Sequence, residues 1–147
     1  MVRTPVSATI GTSMLVTAAL VSGPAGICAG DPQNTPPADA SVVNLMTREL
    51  ISGPEKEVVM LTVTYPAAGA SLPHRHDAQV FVYVLEGELK MQVRGSPVVT
   101  LRPGQTFYEA PDDVHVVSAN ASKTNPAKIL VVMIKDKGKP GSRMVNQ

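Results

Sequence analysis

Gly69-Ala-Ser-Leu-Pro-His74-Arg-His76 is the stretch on which the rest of the chain turns. A strand sends residues i and i+2 to the same face, so His74 and His76 are expected to point together. The chain has three histidines in all, and the third, His115, closes the turn Pro111-Asp-Asp-Val-His115. A third imidazole arriving from a later strand would complete one face of a metal's coordination shell. The spacing therefore predicts a metal site inside a β-barrel.

Around this stretch the pattern is of short β-type runs cut by turns. Runs are predicted over 42–50, 57–65, 80–85, 88–94, 98–101, 105–109, 114–118 and 127–135. Gly53-Pro54, Pro66, Glu86-Gly87, Gly95-Ser96-Pro97 and Pro103-Gly104 supply the breaks between them. Strands at such regular spacing, with no helical period beyond the N-terminal segment, predict an all-β sandwich or barrel. Residues 136–147 are basic and contain Gly and Pro, so they read as a loose, solvated tail.

With 147 residues the chain is long enough for one ordinary domain. Thirteen basic and twelve acidic residues nearly cancel. A nucleic-acid binder would show a basic face with interleaved aromatics. Two Phe, three Tyr and no Trp leave little for a base-stacking surface.

The first thirty residues differ from the rest. Arg3 is the only charge before Asp31, and an apolar run over 10–21 follows it. Small residues end at Ala29, giving the charge, apolar core and cleavage site of a secretory signal peptide over 1–29. The run is about twelve residues, short of the roughly twenty that span a bilayer. The expectation is a periplasmic or secreted protein with no integral membrane span after signal removal. Residues 30–41 read as a flexible leader, 42–135 as the barrel and 136–147 as the basic tail. Cys28, the one cysteine, falls inside the signal, so the mature chain is expected to have no disulfide.

Gly69-x4-His74-x-His76 followed by Tyr83-Val-Leu-Glu-Gly87 resembles the first motif of the cupin superfamily. Pro103-Gly104 through Pro111-x3-His115 to Asn120 resembles the second. The resemblance covers roughly residues 57–134 and is closest to small single-domain, type-2 cupins. It implies a double-stranded antiparallel β-helix, or jelly-roll barrel, with His74, His76 and His115 as ligands of a metal near mid-barrel. It also implies a homodimer. In one place the chain departs from the pattern. Cupins usually carry a glutamate three or four residues after the second histidine, where this chain has Val80 and, just before it, Gln79. Alternation turns Val80 inward, leaving an apolar wall and an ion with its full charge, which favours an anionic or enolate-forming ligand. Two side chains are candidates for a fourth donor: Glu109, on the strand before His115, and Gln79, through its amide oxygen. Imidazole donors suit Zn, Cu, Fe, Ni and sometimes Mn. Export to an oxidising compartment tilts the choice toward Zn, Cu or Mn.

Three functions use these residues. One is a metal-dependent enzyme of the dioxygenase, isomerase or decarboxylase type, acting on a small oxygen-bearing organic molecule. In it Glu109 is the one candidate for a catalytic base. The second is a non-catalytic periplasmic module that captures a small ligand or a metal. The third is a structural barrel with a dead site. Arg75 is expected to face away from the metal and to pair with Asp77. Met60, Met91 and Met133 are expected in the core. Asn120-Ala-Ser122 matches a glycosylation acceptor and is expected to be idle.

Overall fold

The computed structural model describes residues 39–145. Within them the chain forms strands and no helix: β1 (Ser41–Leu50), β2 (Gly53–Tyr65), β3 (Ala70–Ser71), β4 (His74–Arg75), β5 (Ala78–Glu86), β6 (Leu89–Val93), β7 (Val99–Leu101), β8 (Thr106–Glu109), β9 (Val114–Asn120), β10 (Ala127–Asp136) and β11 (Arg143–Met144). The readings of residues 1–29 as a signal, of the leader as far as residue 38, and of Cys28 lie outside the described residues. No helix among the described residues is long and apolar enough to cross a membrane.

The strands form two antiparallel sheets. One has the order β1-β2-β10-β5-β8, the other β11-β4-β9-β6-β7, with β3 also pairing β9. Neighbours distant in sequence lie side by side, as in the jelly-roll form of a double-stranded β-helix. Alternation explains the facing of the central strands. β5 alternates buried and exposed over Ala78–Leu85, and β10 follows the same period. Their inward residues, Val80, Val82, Val84, Ile129, Val131 and Met133, meet Leu89, Met91 and Tyr65 in one core. Met91 and Met133 belong to that core. Met60 differs, because its register with Val132 and Met46 puts it half-buried on the outer face.

The β5–β6 hairpin depends on Gly87. Its φ is +73°, and a Cβ there would lie 2.7 Å from the Pro126 carbonyl oxygen and 2.8 Å from Ala127 Cα. Any side chain would push the hairpin away from the start of β10.

Most strand ends fall within two residues of those expected, and three larger differences stand out. β2 begins at Gly53 rather than at residue 57, because Pro54 falls in the irregular stretch between the pairs Glu49–Glu57 and Leu50–Gly53, where no ladder donor is needed. β3, β4 and β11 are two residues each, too short to leave a period in the sequence. The tail is docked through residue 145: β11 pairs with β4, and Val145 N–H donates to the Pro73 carbonyl at 3.3 Å.

Candidate metal centre

β4 and β9 are paired so that His74 stands directly opposite His115. His76 follows β4 by one residue. The imidazole centroids of His74 and His76 lie 4.9 Å apart, and those of His74 and His115 lie 5.2 Å apart. His115 is 1% exposed, and the Phe107 ring stacks on it at 5.9 Å. On β9, His115 and Ser118 are three residues apart, yet both are buried. A bulge opposite Gln92–Val93 inserts the extra residue that brings them to one face.

Two of the rings have a defined tautomer. His74 Nδ1–H donates to the Leu72 carbonyl at 2.7 Å, and His76 Nδ1–H donates to the Gly141 carbonyl at 2.6 Å. A carbonyl only accepts, so Nδ1 of each ring carries the proton, and in the neutral ring Nε2 holds the lone pair. Metal-binding histidines are commonly held by such a backbone carbonyl.

Glu109 comes from β8, with 2% exposure, and points inward. Its Oε2 lies 3.7 Å from His76 Nε2 and 3.2 Å from His115 Nδ1. The contact to His115 does not form a hydrogen bond, and Glu109 Oε2 and both His115 nitrogens are buried without partners. Burial pushes the Glu109 carboxyl upward, but the close approach of His115, with His76 and His74 behind it, outweighs burial and holds it below its ordinary 4.5. Burial pushes His74 below its ordinary 6.5, with His76 and His115 adding to the effect against the opposing bond to Leu72. The site therefore favours an ionised Glu109 and a neutral His74.

As they stand, these side chains do not close around a point. Among the described residues no three His, Cys, Asp or Glu side chains have metal-ligating geometry. The fit lies in their chemistry. Glu109 Oε2 and one nitrogen of His115, both buried without partners, beside the Nε2 atoms of His74 and His76, match what a divalent ion would satisfy.

Gln79 is placed elsewhere. It sits on the exposed outer face of β5, which runs without a bulge from Ala78 to Val84, so its amide faces away from the histidines. Val80 is 1% exposed and lines the site, as alternation requires. Its register partner on β8 is Glu109. Directly opposed residues share a face, with Cβ atoms about 4.5–5.5 Å apart. The wall where cupins place a glutamate is thus apolar on β5 and carries a carboxylate on the adjacent strand. Of the two side chains named as candidates for a fourth donor, Glu109 is the one that faces the histidines.

The centre opens into a cavity of about 430 Å³. Its walls are mainly aliphatic, including Leu61, Val63, Val131 and Met133, and no described Lys or Arg lines it. Ser71 and Ser118 add hydroxyls, linked through Tyr65 Oη at 3.3 Å and 2.6 Å. Gly141, Ser142 and Met144 line it as well. Two-residue strands carry no period, so nothing in the sequence marked these tail residues. Arg75 faces outward, 3.8 Å from Asp77. Tyr83 and Tyr108 are exposed on the outer sheet face. Asn120 is buried, and its amide donates to the carbonyls of Pro66 at 2.9 Å and Asn125 at 2.7 Å, so it is structural.

Residues 61–133 match the family model described as "Cupin domain". No curated protein matches the chain in sequence. Several solved structures share its fold. A DMSP lyase from Ruegeria pomeroyi DSS-3 is 19% identical, with a TM-score of 0.57 over 72% of this chain and 51% of its own. An oxalate oxidase in complex with the substrate analogue glycolate is 25% identical, with a TM-score of 0.57 over 80% of this chain and 59% of its own. A conserved protein with a double-stranded β-helix domain from Klebsiella pneumoniae is 16% identical, with a TM-score of 0.58 over 78% of this chain and 93% of its own. The chain thus spans between half and two thirds of the length of the first two. The family match, the two-sheet jelly roll and the order of the Gly, His and Pro-Gly signatures place this chain in the cupin superfamily.

Proposed function

We propose that this chain is an exported, metal-dependent cupin enzyme whose His74, His76, His115 and Glu109 hold a divalent transition metal. The observation that carries this reading is the convergence of imidazole nitrogens on a buried, ionised carboxylate within a mainly aliphatic cavity. A bound ion supplies Lewis-acid or redox chemistry at its open positions. The chain's own residues then set what can approach. Aliphatic walls exclude water, and without Lys or Arg among the described lining residues they give no partner to a second anionic group. The substrate class is therefore a small molecule with one oxygen-bearing head and a largely apolar body. The likeness to an oxalate oxidase that takes up glycolate supports a small oxygen ligand. Dioxygen insertion, isomerisation and decarboxylation all use such a head.

The same proposal includes a homodimer. Phe81, Tyr83, Leu85 and Tyr108 are 37–48% exposed on the outer face of β5 and β8, and a second copy of that face is a matching apolar surface.

The test is elemental analysis of the protein over residues 30–147 beside a His74→Ala/His76→Ala variant. Near-stoichiometric metal in the first and none in the second is expected, followed by turnover of a keto acid or diketone. No metal in either, after incubation with Zn, Cu, Mn, Ni or Fe(II), refutes the reading. Metal with ligand-induced stabilisation and no product assigns the chain to non-catalytic capture.

A further inference from the structure

The C-terminal segment ends where the metal-binding histidines begin. Its first anchor is Lys135, 6% exposed at the end of β10, which pairs with Glu57 and donates to the Lys139 carbonyl at 2.6 Å. Lys137 N–H donates to the Glu55 carbonyl at 2.9 Å. The chain then crosses to the other sheet. Gly141 lies against the core, where a Cβ would stand 3.3 Å from Met133 Cε. Met144 pairs with His74, and Arg143 pairs with Arg75. Arg143 also forms an ion pair with Asp77, the residue after His76. Between these anchors the Gly141 carbonyl accepts the His76 Nδ1–H bond at 2.6 Å.

We propose that residues 138–145 form a positioning strap, whose Gly141 carbonyl locks His76 in the Nδ1–H tautomer and so keeps its Nε2 lone pair facing Glu109. The proposal rests on the metal-centre reading for its purpose, but the tautomer itself is a property of the metal-free chain. A neutral imidazole has two tautomers, and the hydrogen bond made by one nitrogen decides which proton stays. His76 follows a strand of only two residues, so its own backbone constrains its ring weakly. The strap brackets it from both sides, with the carbonyl on Nδ1 and the Arg143–Asp77 pair on the next residue. Partners of this kind, one step removed from a metal, contribute about 10–100-fold to metal affinity. Gly141, Ser142 and Met144 also line the cavity.

The experiment compares the full chain with two variants, deletion of residues 141–147 and Arg143→Ala. Side-chain nitrogen NMR of the metal-free proteins at mildly alkaline pH reads the His76 tautomer. Competition against a chelator reads Zn affinity, and circular dichroism checks the sheets. In the full chain His76 is expected as Nδ1–H. In the deletion it is expected to move toward Nε2–H, with Zn bound about 10–100-fold more weakly. Arg143→Ala is expected to show the same two changes at smaller size, and it decides the matter if the deletion does not fold. An unchanged tautomer in folded variants overturns the proposal, whatever happens to affinity. A changed tautomer in a chain that binds no metal even at full length supports the strap and refutes the metal centre instead.

Discussion

Moving the buried carboxylate across one strand pair is the most demanding test of the centre. Glu109 and Val80 are register partners, 2% and 1% exposed, and both line the cavity. Glu109→Val removes the one negative donor of the four proposed. Loss of an outer partner alone costs 10–100-fold, so about 100-fold is expected for a direct ligand. With metal at about 100 times the native dissociation constant, binding stabilises the native protein by about 2.7 kcal/mol. For a domain of this size that raises Tm by roughly 11–22 °C. After Glu109→Val the same metal concentration equals the new dissociation constant, leaving about 0.4 kcal/mol and a shift of roughly 2–3 °C. Adding Val80→Glu places a carboxylate on the same face, about 4.5–5.5 Å away at Cβ. Recovery to within tenfold of native affinity would give about 1.4 kcal/mol, or roughly 6–11 °C. The readout is the difference in Tm with and without Zn, since a buried new charge lowers the metal-free Tm by itself. A Glu109→Val protein with the full native shift would show that Glu109 is no ligand. A swap no better than the single variant would show that β5 and β8 do not share this corner.

Three further outcomes are expected. Asn120→Ala removes two good amide bonds to Pro66 and Asn125, a longer one to Tyr65 and the acceptor for Ser122 N–H. At about 1 kcal/mol for each bond it should cost about 2–4 kcal/mol in urea denaturation, and Asn120→Asp, with no donor to face the carbonyls, should do no better. His74 and Glu109 are both depressed, so the unfolded chain takes up protons first as pH falls. Metal-free stability should be full above about 6.5, decline through that value, and decline again below about 4.5; a Tm that rises on acidification over this window would contradict the assignment. Phe81→Glu with Tyr108→Glu should give a monomer by light scattering with the fold intact, and an unchanged mass would refute the outer-face dimer.

Much of the fold was legible because strands of five or more residues carry a period of two. The runs at 80–85 and 127–135 lie within β5 and β10, and Val80 turned inward as alternation required. His74 and His115 could be grouped by motif spacing, and the structure places them opposite one another. Glu109 was visible only as one of two candidates. Its inward direction follows from β8 pairing with β5, a contact between segments 29 residues apart at Val80 and Glu109 that no local pattern records. The tail was misread as loose because Gly, Pro and Lys are also what a loop contains. Its order comes from Lys135–Glu57 and β11–β4, which are long-range contacts.

By itself the sequence determined the all-β class, the turn positions and the three histidines as a group, since alternation and turn chemistry act through near neighbours. Only the tertiary structure decided which carboxylate lies beside them, that Gln79 faces away, and that the Gly141 carbonyl meets His76. Those depend on register between distant strands, and register is set by how whole sheets bury their apolar faces rather than by any residue's local preference.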